Sequence, residues 1–162
     1  NTIVGPVINE DACTRILGMV ERAKRSGAGR LVLGGERLGG EYANGYYLRP
    51  TVFADVDPAS EISQQEVFGP VLVIQRFQTE EQAIALANST GYGLGGYIQT
   101  HDLGRANRLA AALKTGYVHI NGTRNIPACA PFGGIGLSGY GKEGGRPGLD
   151  EFIRLKTVSM PA

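Results

Sequence analysis

The residues best placed to do chemistry are Glu66 and Phe68, in the run Glu66-Val67-Phe68-Gly69-Pro70. A carboxylate has enough acceptor positions to take both vicinal hydroxyls of a sugar, and a charged acceptor makes the stronger kind of hydrogen bond. Taken alone, the residue leaves two readings open, because a glutamate before a turn is also commonly a solvated or helix-capping side chain. On an extended backbone Phe68 projects to the same side as Glu66, where its ring would flank the same ligand or pack in the core. Gly69-Pro70 reads as the turn that feeds the next strand.

A second group lies in the glycine-rich stretch from Pro131 to Gly148. Gly134-Ile135-Gly136-Leu137-Ser138-Gly139 matches the dinucleotide pattern G-x-G-x-x-G, which requires a strand before it and a helix opening at its end. The following Tyr140 to Pro147 reads as unable to open a stable helix. Gly136 to Lys142 matches the start of a phosphate loop, G-x-x-x-x-G-K. Glu143 stands where that loop needs the hydroxyl of Ser or Thr, and it sets a negative charge beside the phosphates. A tight irregular loop accounts for the glycines but not for Phe132, which must pack somewhere. Cys129 has no neighbouring His in the sequence to activate a thiol. Cys13 falls in a helical stretch and is expected to pack, while His101 and His119 stand singly at a helix entry and in a strand.

The elements that must carry these residues are legible from periodicity and caps. Asn9 reads as an N-cap, with Glu10 and Asp11 in the first turn where the helix dipole favours anions. Ala12, Ile16, Met19, Val20 and Ala23 then recur at helical spacing up to Gly27. Arg30 to Leu33 reads as a short buried strand. Tyr46 to Val56 reads as one or two strands interrupted at Pro50, implying an edge or a bulge. Val71 to Phe77 is a strand, and Thr79 with Gln82 forms a capping box for a helix to about Asn88. Gly95 to Thr100 is a strand. Asp102 caps a helix with Leu103, Ala106, Leu109, Ala110 and Leu113 on one face, and Tyr117 to Asn121 is the next strand. A loop from 122 to about 147 follows, of a length that is usually functional. A helix from Leu149 to Arg154 and a terminal strand from Leu155 to Met160 complete the reading. Helices alternating with short apolar strands predict an α/β fold, with an open, mostly parallel sheet flanked by helices.

With 162 residues, 42% hydrophobic and 19% charged, the chain fits a folded domain and not a disordered one. Its formal charge of +1 with scattered basic residues gives no nucleic-acid footprint, and no uncharged run approaches a membrane helix. Two distant cysteines without metal-ligand spacing suit a reducing cytoplasm, with no disulfide framework and no metal site. The chain opens on Asn1 without a methionine or a signal-like segment, as a piece of a longer polypeptide would.

Several runs, in order and over nearly the whole chain, resemble the C-terminal part of an NAD(P)-dependent aldehyde dehydrogenase. They are Gly5-Pro6-Val7-Ile8, Gly45-Tyr46-Tyr47-Leu48-Arg49-Pro50-Thr51-Val52, Gln65 to Leu72, Ala87-Asn88 with Tyr92-Gly93-Leu94, Gly116 to Gly122, and Pro131-Phe132-Gly133-Gly134 to Gly144. The resemblance assigns Glu66 to the nicotinamide ribose and Phe68 to the nicotinamide ring of NAD or NADP. It makes Asn121 to Phe132 the loop at the aldehyde entrance, with Ile126, Ala128, Cys129 and Phe132 as lining residues. It places the nucleophilic cysteine, the general-base glutamate and the main dinucleotide-binding domain in upstream motifs. Cys129 is therefore not the nucleophile, and no catalytic residue is expected in this chain. One departure is Gly136, where the family often carries Lys.

The resemblance implies residues 1–147 as a partial catalytic domain and 148–162 as a C-terminal helix and oligomerisation strand, in a homodimer or homotetramer. The intact enzyme would oxidise an aldehyde to a carboxylic acid through a cysteine thioester. The acyl acceptor, water or CoA, stays open. Two alternatives stand beside it: a non-catalytic assembly module of the same fold, and a phosphate-loop nucleotide-binding protein.

Overall fold

A computed structural model describes residues 4–122 and 126–161 of the chain. It divides into two compact units, Asn1–Thr90 and Gly91–Ala162. The fold is α/β, and two of the three strand pairings among the described residues are parallel.

In the first unit, helix α1 spans Glu10–Ser26. Its start is fixed by Asn9, whose Oδ1 accepts from the Ala12 amide at 2.8 Å. At its end Gly27 turns left-handed (φ 67°), the conformation glycine adopts without steric cost. Strands β1 (Arg30–Leu33), β2 (Thr51–Ala54) and β3 (Val71–Ile74) form one sheet in that order. The β1–β2 pairing is antiparallel and slips between Leu31 and Leu33, while β2–β3 is parallel, from Thr51 opposite Val71 to Ala54 opposite Ile74. A short helix α2 (Glu61–Gln64) lies on the connection between the parallel pair.

Alternation along β2 turns Thr51 and Phe53 inward. Phe53 is 0% exposed and shares a core with Val20, Ala23, Ala28, Val56 and Ile62. Cys13, Ile16 and Leu48 form a second cluster, so α1 contributes to both. Helix α3 (Glu80–Ala87) closes the unit. Its Thr79 cap accepts from the Gln82 amide at 3.2 Å, and the Gln82 side chain reaches back to the Gln78 amide, one residue before the Thr79 amide of a standard capping box.

The second unit is a strand–helix–strand repeat. Strand β4 (Gly95–Ile98) and strand β5 (Tyr117–Ile120) pair in parallel, and helix α4 (Leu103–Ala112) connects them. Asp102 caps α4 through the Arg105 amide at 2.9 Å. Helix α5 (Gly145–Asp150) follows the glycine-rich stretch.

Several expectations are corrected. Strand β1 is mostly exposed, because it is the antiparallel edge of its sheet. Pro50 does separate two paired stretches, since Tyr47 and Arg49 bond to Leu38 and Glu36 before it and β2 follows it, but it does not mark a sheet edge. It precedes β2, which is central in its sheet, and the irregularity lies on the β1 side. The helix expected over Leu149 to Arg154 begins earlier, at Gly145, with Pro147 in its first turn. That position is tolerated because the first amides of a helix have no intrahelical acceptor. Residues 155–160, read as a terminal strand, take no strand partner among the described residues, and Leu155, Val158 and Met160 are exposed.

Thr51 is buried, and its hydroxyl ties two chain segments together. It accepts from the Gly35 amide at 2.8 Å and donates to the Arg49 carbonyl at 2.9 Å. Thr51→Val keeps the shape and strands both partners, so urea unfolding should show a loss of roughly 1–3 kcal/mol. Unchanged stability would mean that these bonds do not hold the Gly34–Gly35 turn against β2.

Candidate functional site

Beyond α2 the chain turns outward at Glu66, inward at Val67 and outward again at Phe68. Glu66 is exposed, Val67 packs on both core clusters, and Phe68 is 76% exposed. Phe68 sits at φ 51°, in the left-handed region that a bulky residue adopts at a cost of about 1–2 kcal/mol. The backbone is thus not extended here, which removes the premise that put Glu66 and Phe68 on one side by alternation. Their shared outward exposure comes from the burial of Val67 and the left-handed turn at Phe68.

Three contacts hold this conformation. Arg15 of α1 donates from Nη1 to the Val67 carbonyl at 2.8 Å. Gly69 lies against Ile16, where an added Cβ would stand 2.5 Å from the Ile16 Cδ1. Pro70 then accepts from the Thr51 amide at 2.8 Å, which seats the start of β3 beside β2. An open cleft of about 630 Å³ is bounded by Phe68, Gly69, Pro70, Ala12, Arg15 and the Val4–Ile8 segment. It offers an exposed aromatic ring, a guanidinium and apolar walls, the mixture suited to a ligand with a flat ring and polar groups. A second cleft of about 580 Å³ lies at the end of α1 and offers less chemistry. Its Arg22 and Glu61 engage each other at 2.8 Å through two hydrogen bonds, which hold the Glu61 carboxyl below its ordinary range.

Ile126, Ala128, Cys129 and Phe132 belong to the second unit. Residues 123–125 of the expected entrance loop lie outside the described residues. At the loop's start Asn121 is left-handed (φ 54°), and its side-chain amide bridges Thr100 in both directions. Thr100 N–H donates to Oδ1 at 2.9 Å, and Nδ2 donates to the Thr100 carbonyl at 2.7 Å. The side chain thereby imitates one more rung of the β4–β5 ladder. Ile126 is half-buried, whereas Ala128 and Cys129 are exposed in a turn whose Ala128 carbonyl accepts from the Gly145 amide at 2.9 Å.

Phe132 exchanges two backbone hydrogen bonds with Glu143, at 2.7 and 2.8 Å, so the glycine stretch is a closed loop. Its ring meets Tyr117 edge-on at 5.9 Å, which is the packing that an aromatic among glycines required. Tyr117 also contacts the rings of His119 and Tyr97, and desolvation, followed by Tyr97, pushes its hydroxyl pKa up. Backbone approaches backbone so closely at Gly116 that an added Cβ would stand 1.7 Å from the Gly133 carbonyl oxygen. The Gly93 carbonyl accepts from Gly116 and Ile135, and the Gly93 amide donates to Ser138 Oγ at 3.1 Å. Lys142 Nζ donates to the Gly134 carbonyl at 2.6 Å, so the phosphate-loop match turns its lysine onto its own loop. The G-x-G-x-x-G match leads into turns, and α5 opens only at Gly145.

The two residues that sequence reasoning missed are Arg15 and Asn121. Arg15 acts across 52 positions of sequence, and only its place beside the buried Ile16 hinted at a partner. Asn121 stands in the sequence reading as a strand end and as the start of the entrance loop, and its tolerance of the left-handed conformation is the signal for the bridging role of its amide.

The family model described as the aldehyde dehydrogenase family matches residues 1–158. An aldehyde dehydrogenase-like protein of Schizosaccharomyces pombe is 45% identical over 99% of this chain and 32% of its own length. A betaine aldehyde dehydrogenase of Cereibacter sphaeroides is 43% identical over 96% of this chain and 31% of its own. Among solved structures, a Mycobacterium tuberculosis aldehyde dehydrogenase complexed with NAD+ superposes with a TM-score of 0.89 at 40% identity, covering 98% of this chain and 32% of that one. The chain therefore spans about a third of the length of the relatives it matches.

The two cysteines differ in a way that a thiol reagent reads directly. Cys13 is buried in α1, and burial, only partly offset by Arg37, pushes its thiol pKa up, whereas Cys129 is exposed. A colourimetric disulfide reagent at neutral pH should therefore titrate Cys129 rapidly in the 162-residue chain, and Cys13 only after urea is added. Two rapid thiols would mean that the α1 packing around Cys13 is wrong.

Proposed function

The chain belongs to the aldehyde dehydrogenase family, and from this premise we propose that it is the part of an NAD(P)-dependent enzyme that carries the nicotinamide-side contacts and the aldehyde-entrance loop. The observation that carries the reading is the outward presentation of Glu66 and Phe68 on a segment held from α1. When bound, the dinucleotide supplies the hydride acceptor for aldehyde oxidation. Glu66 would accept hydrogen bonds from the two ribose hydroxyls, and the Phe68 ring would bear on the nicotinamide. Both fit the group in chemistry: an exposed carboxylate suits a diol, and an exposed ring beside an open cleft suits a flat heterocycle. An NAD+ complex of a structural neighbour supports the dinucleotide class, and the residues facing the adenosine ribose, which separate NAD from NADP, belong to motifs outside this chain.

In the intact enzyme a cysteine thiolate attacks the aldehyde, and a glutamate activates the water that releases the carboxylic acid unless CoA is the acyl acceptor. Both belong to motifs outside this chain. Phe132, braced on Tyr117, forms a fixed wall of the aldehyde entrance, and Ile126, Ala128 and Cys129 line the rest. Residues 1–147 act as a partial catalytic domain and 148–162 as the assembly segment. No helix among the described residues is long and apolar enough to cross a membrane, and a reducing cytoplasm suits the two free thiols.

Two measurements on the intact enzyme test this reading. Glu66→Gln should lower kcat/KM for the dinucleotide about ten- to hundredfold, the equivalent of one hydrogen bond to a charged group, and leave the aldehyde KM nearly unchanged. Unaltered cofactor kinetics would return Glu66 to a solvated surface residue. Deleting residues 155–162 should reduce the mass measured by light scattering, because it removes the exposed Leu155, Val158 and Met160 that would pack on a neighbouring subunit. An unchanged mass would remove the segment from assembly.

A further inference from the structure

We infer that Arg15 is a positioning residue for the cofactor-side segment, acting through the Val67 carbonyl to hold Phe68 left-handed. The inference rests on the reading of Glu66 and Phe68 as nicotinamide-side contacts.

The geometry is a two-point clamp made by consecutive residues of α1. Arg15 fixes the carbonyl on one side of Phe68 by a charge-assisted hydrogen bond of 2.8 Å. Ile16 fills the space against Gly69 on the other side, so closely that Gly69 can bear no side chain without a shift. Ile16 is itself immobilised in the core with Cys13 and Leu48, which ties the clamp to the fold. The guanidinium is further oriented from its own helix, with Nη1 3.9 Å from Met19 Sδ one turn on. The ion pairs that α1 makes among the described residues run from Glu10, Lys24 and Arg22.

A bulky residue at φ 51° persists only where its surroundings over-determine it. Val67 is packed, so one edge of the segment is secured by burial and the other by Gly69. The peptide between Val67 and Phe68 is the joint whose rotation would carry the ring away, and Arg15 holds its oxygen. With the donor removed, Phe68 is free to relax toward negative φ. The ring then turns with the backbone, and the Glu66 carboxylate loses its fixed relation to the ring. Misplacement of that kind costs rate more than it costs fold stability.

The test uses Arg15→Met, which keeps the apolar stem, and Arg15→Lys, which restores a cationic donor, both in the intact enzyme. Three readouts are taken: the thermal midpoint, steady-state kinetics with dinucleotide and aldehyde varied separately, and hydrogen exchange of the Thr51 and Val71 amides, which bond to the Pro70 and Gly69 carbonyls of the segment. Arg15→Met should exchange faster at these amides, lose roughly ten- to hundredfold in kcat/KM for the dinucleotide and keep the aldehyde KM. Arg15→Lys should recover part of both effects. Unchanged exchange in Arg15→Met, or a loss that Arg15→Lys does not relieve at all, would overturn the positioning role. Faster exchange with normal dinucleotide kinetics, where Glu66→Gln is impaired, would overturn Arg15 alone. The same result with Glu66→Gln also normal would overturn the cofactor-side assignment and the positioning role with it.

Discussion

Burial of the α1 stripe Cys13, Ile16, Val20 and Ala23 against the β2 region fixes where α1 lies, and the first unit depends on that placement. Fully burying an aliphatic side chain is worth about 1.5–3 kcal/mol, so this stripe outweighs the cost of one left-handed phenylalanine. The helix can therefore hold a strained residue at its edge without endangering the fold. Ile16 faces both tasks at once: it is core for α1 and floor for Gly69. Rigidity at the candidate site is thus borrowed from the core and delivered through side chains on adjacent helix positions.

The second unit solves the same positioning problem with backbone. Gly116 and Gly133 meet with no room for a side chain, and Gly93 receives two amides from different segments. These contacts set Phe132 against Tyr117 and close its loop through Glu143. Glycine is required there because main chain must approach main chain, which accounts for the complete dinucleotide pattern and the partial phosphate-loop pattern as loop geometry. Lys142, bonded to the Gly134 carbonyl, serves the loop itself.

Most helix starts were legible because capping is local: Asn9, Thr79 and Asp102 each accept the amide three residues on. The parallel pairing could be anticipated from helices alternating with apolar strands. What escaped was set by distant chain. Nothing about Phe68 announces a positive φ, since only its neighbours Arg15 and Ile16 impose it. The segment 155–160 has the composition of a strand, but a strand is defined by the neighbour it bonds to, and composition cannot supply that neighbour. Pro147 was read as a breaker, although the first turn of α5 has no amide acceptor for it to disturb. The roles of Glu66 and of the entrance loop came from family resemblance, not from spacing.

We propose that a strained, clamped segment presents Glu66 and Phe68 to the nicotinamide end of a dinucleotide. A crystal structure of the intact enzyme with its dinucleotide bound tests it most directly. Such a structure should show Glu66 oxygens within about 2.5–3.0 Å of both ribose hydroxyls, the Phe68 ring against the nicotinamide, and Phe68 still at positive φ. A bound dinucleotide whose ribose is held by other groups, with the Glu66 carboxylate in solvent, would contradict it.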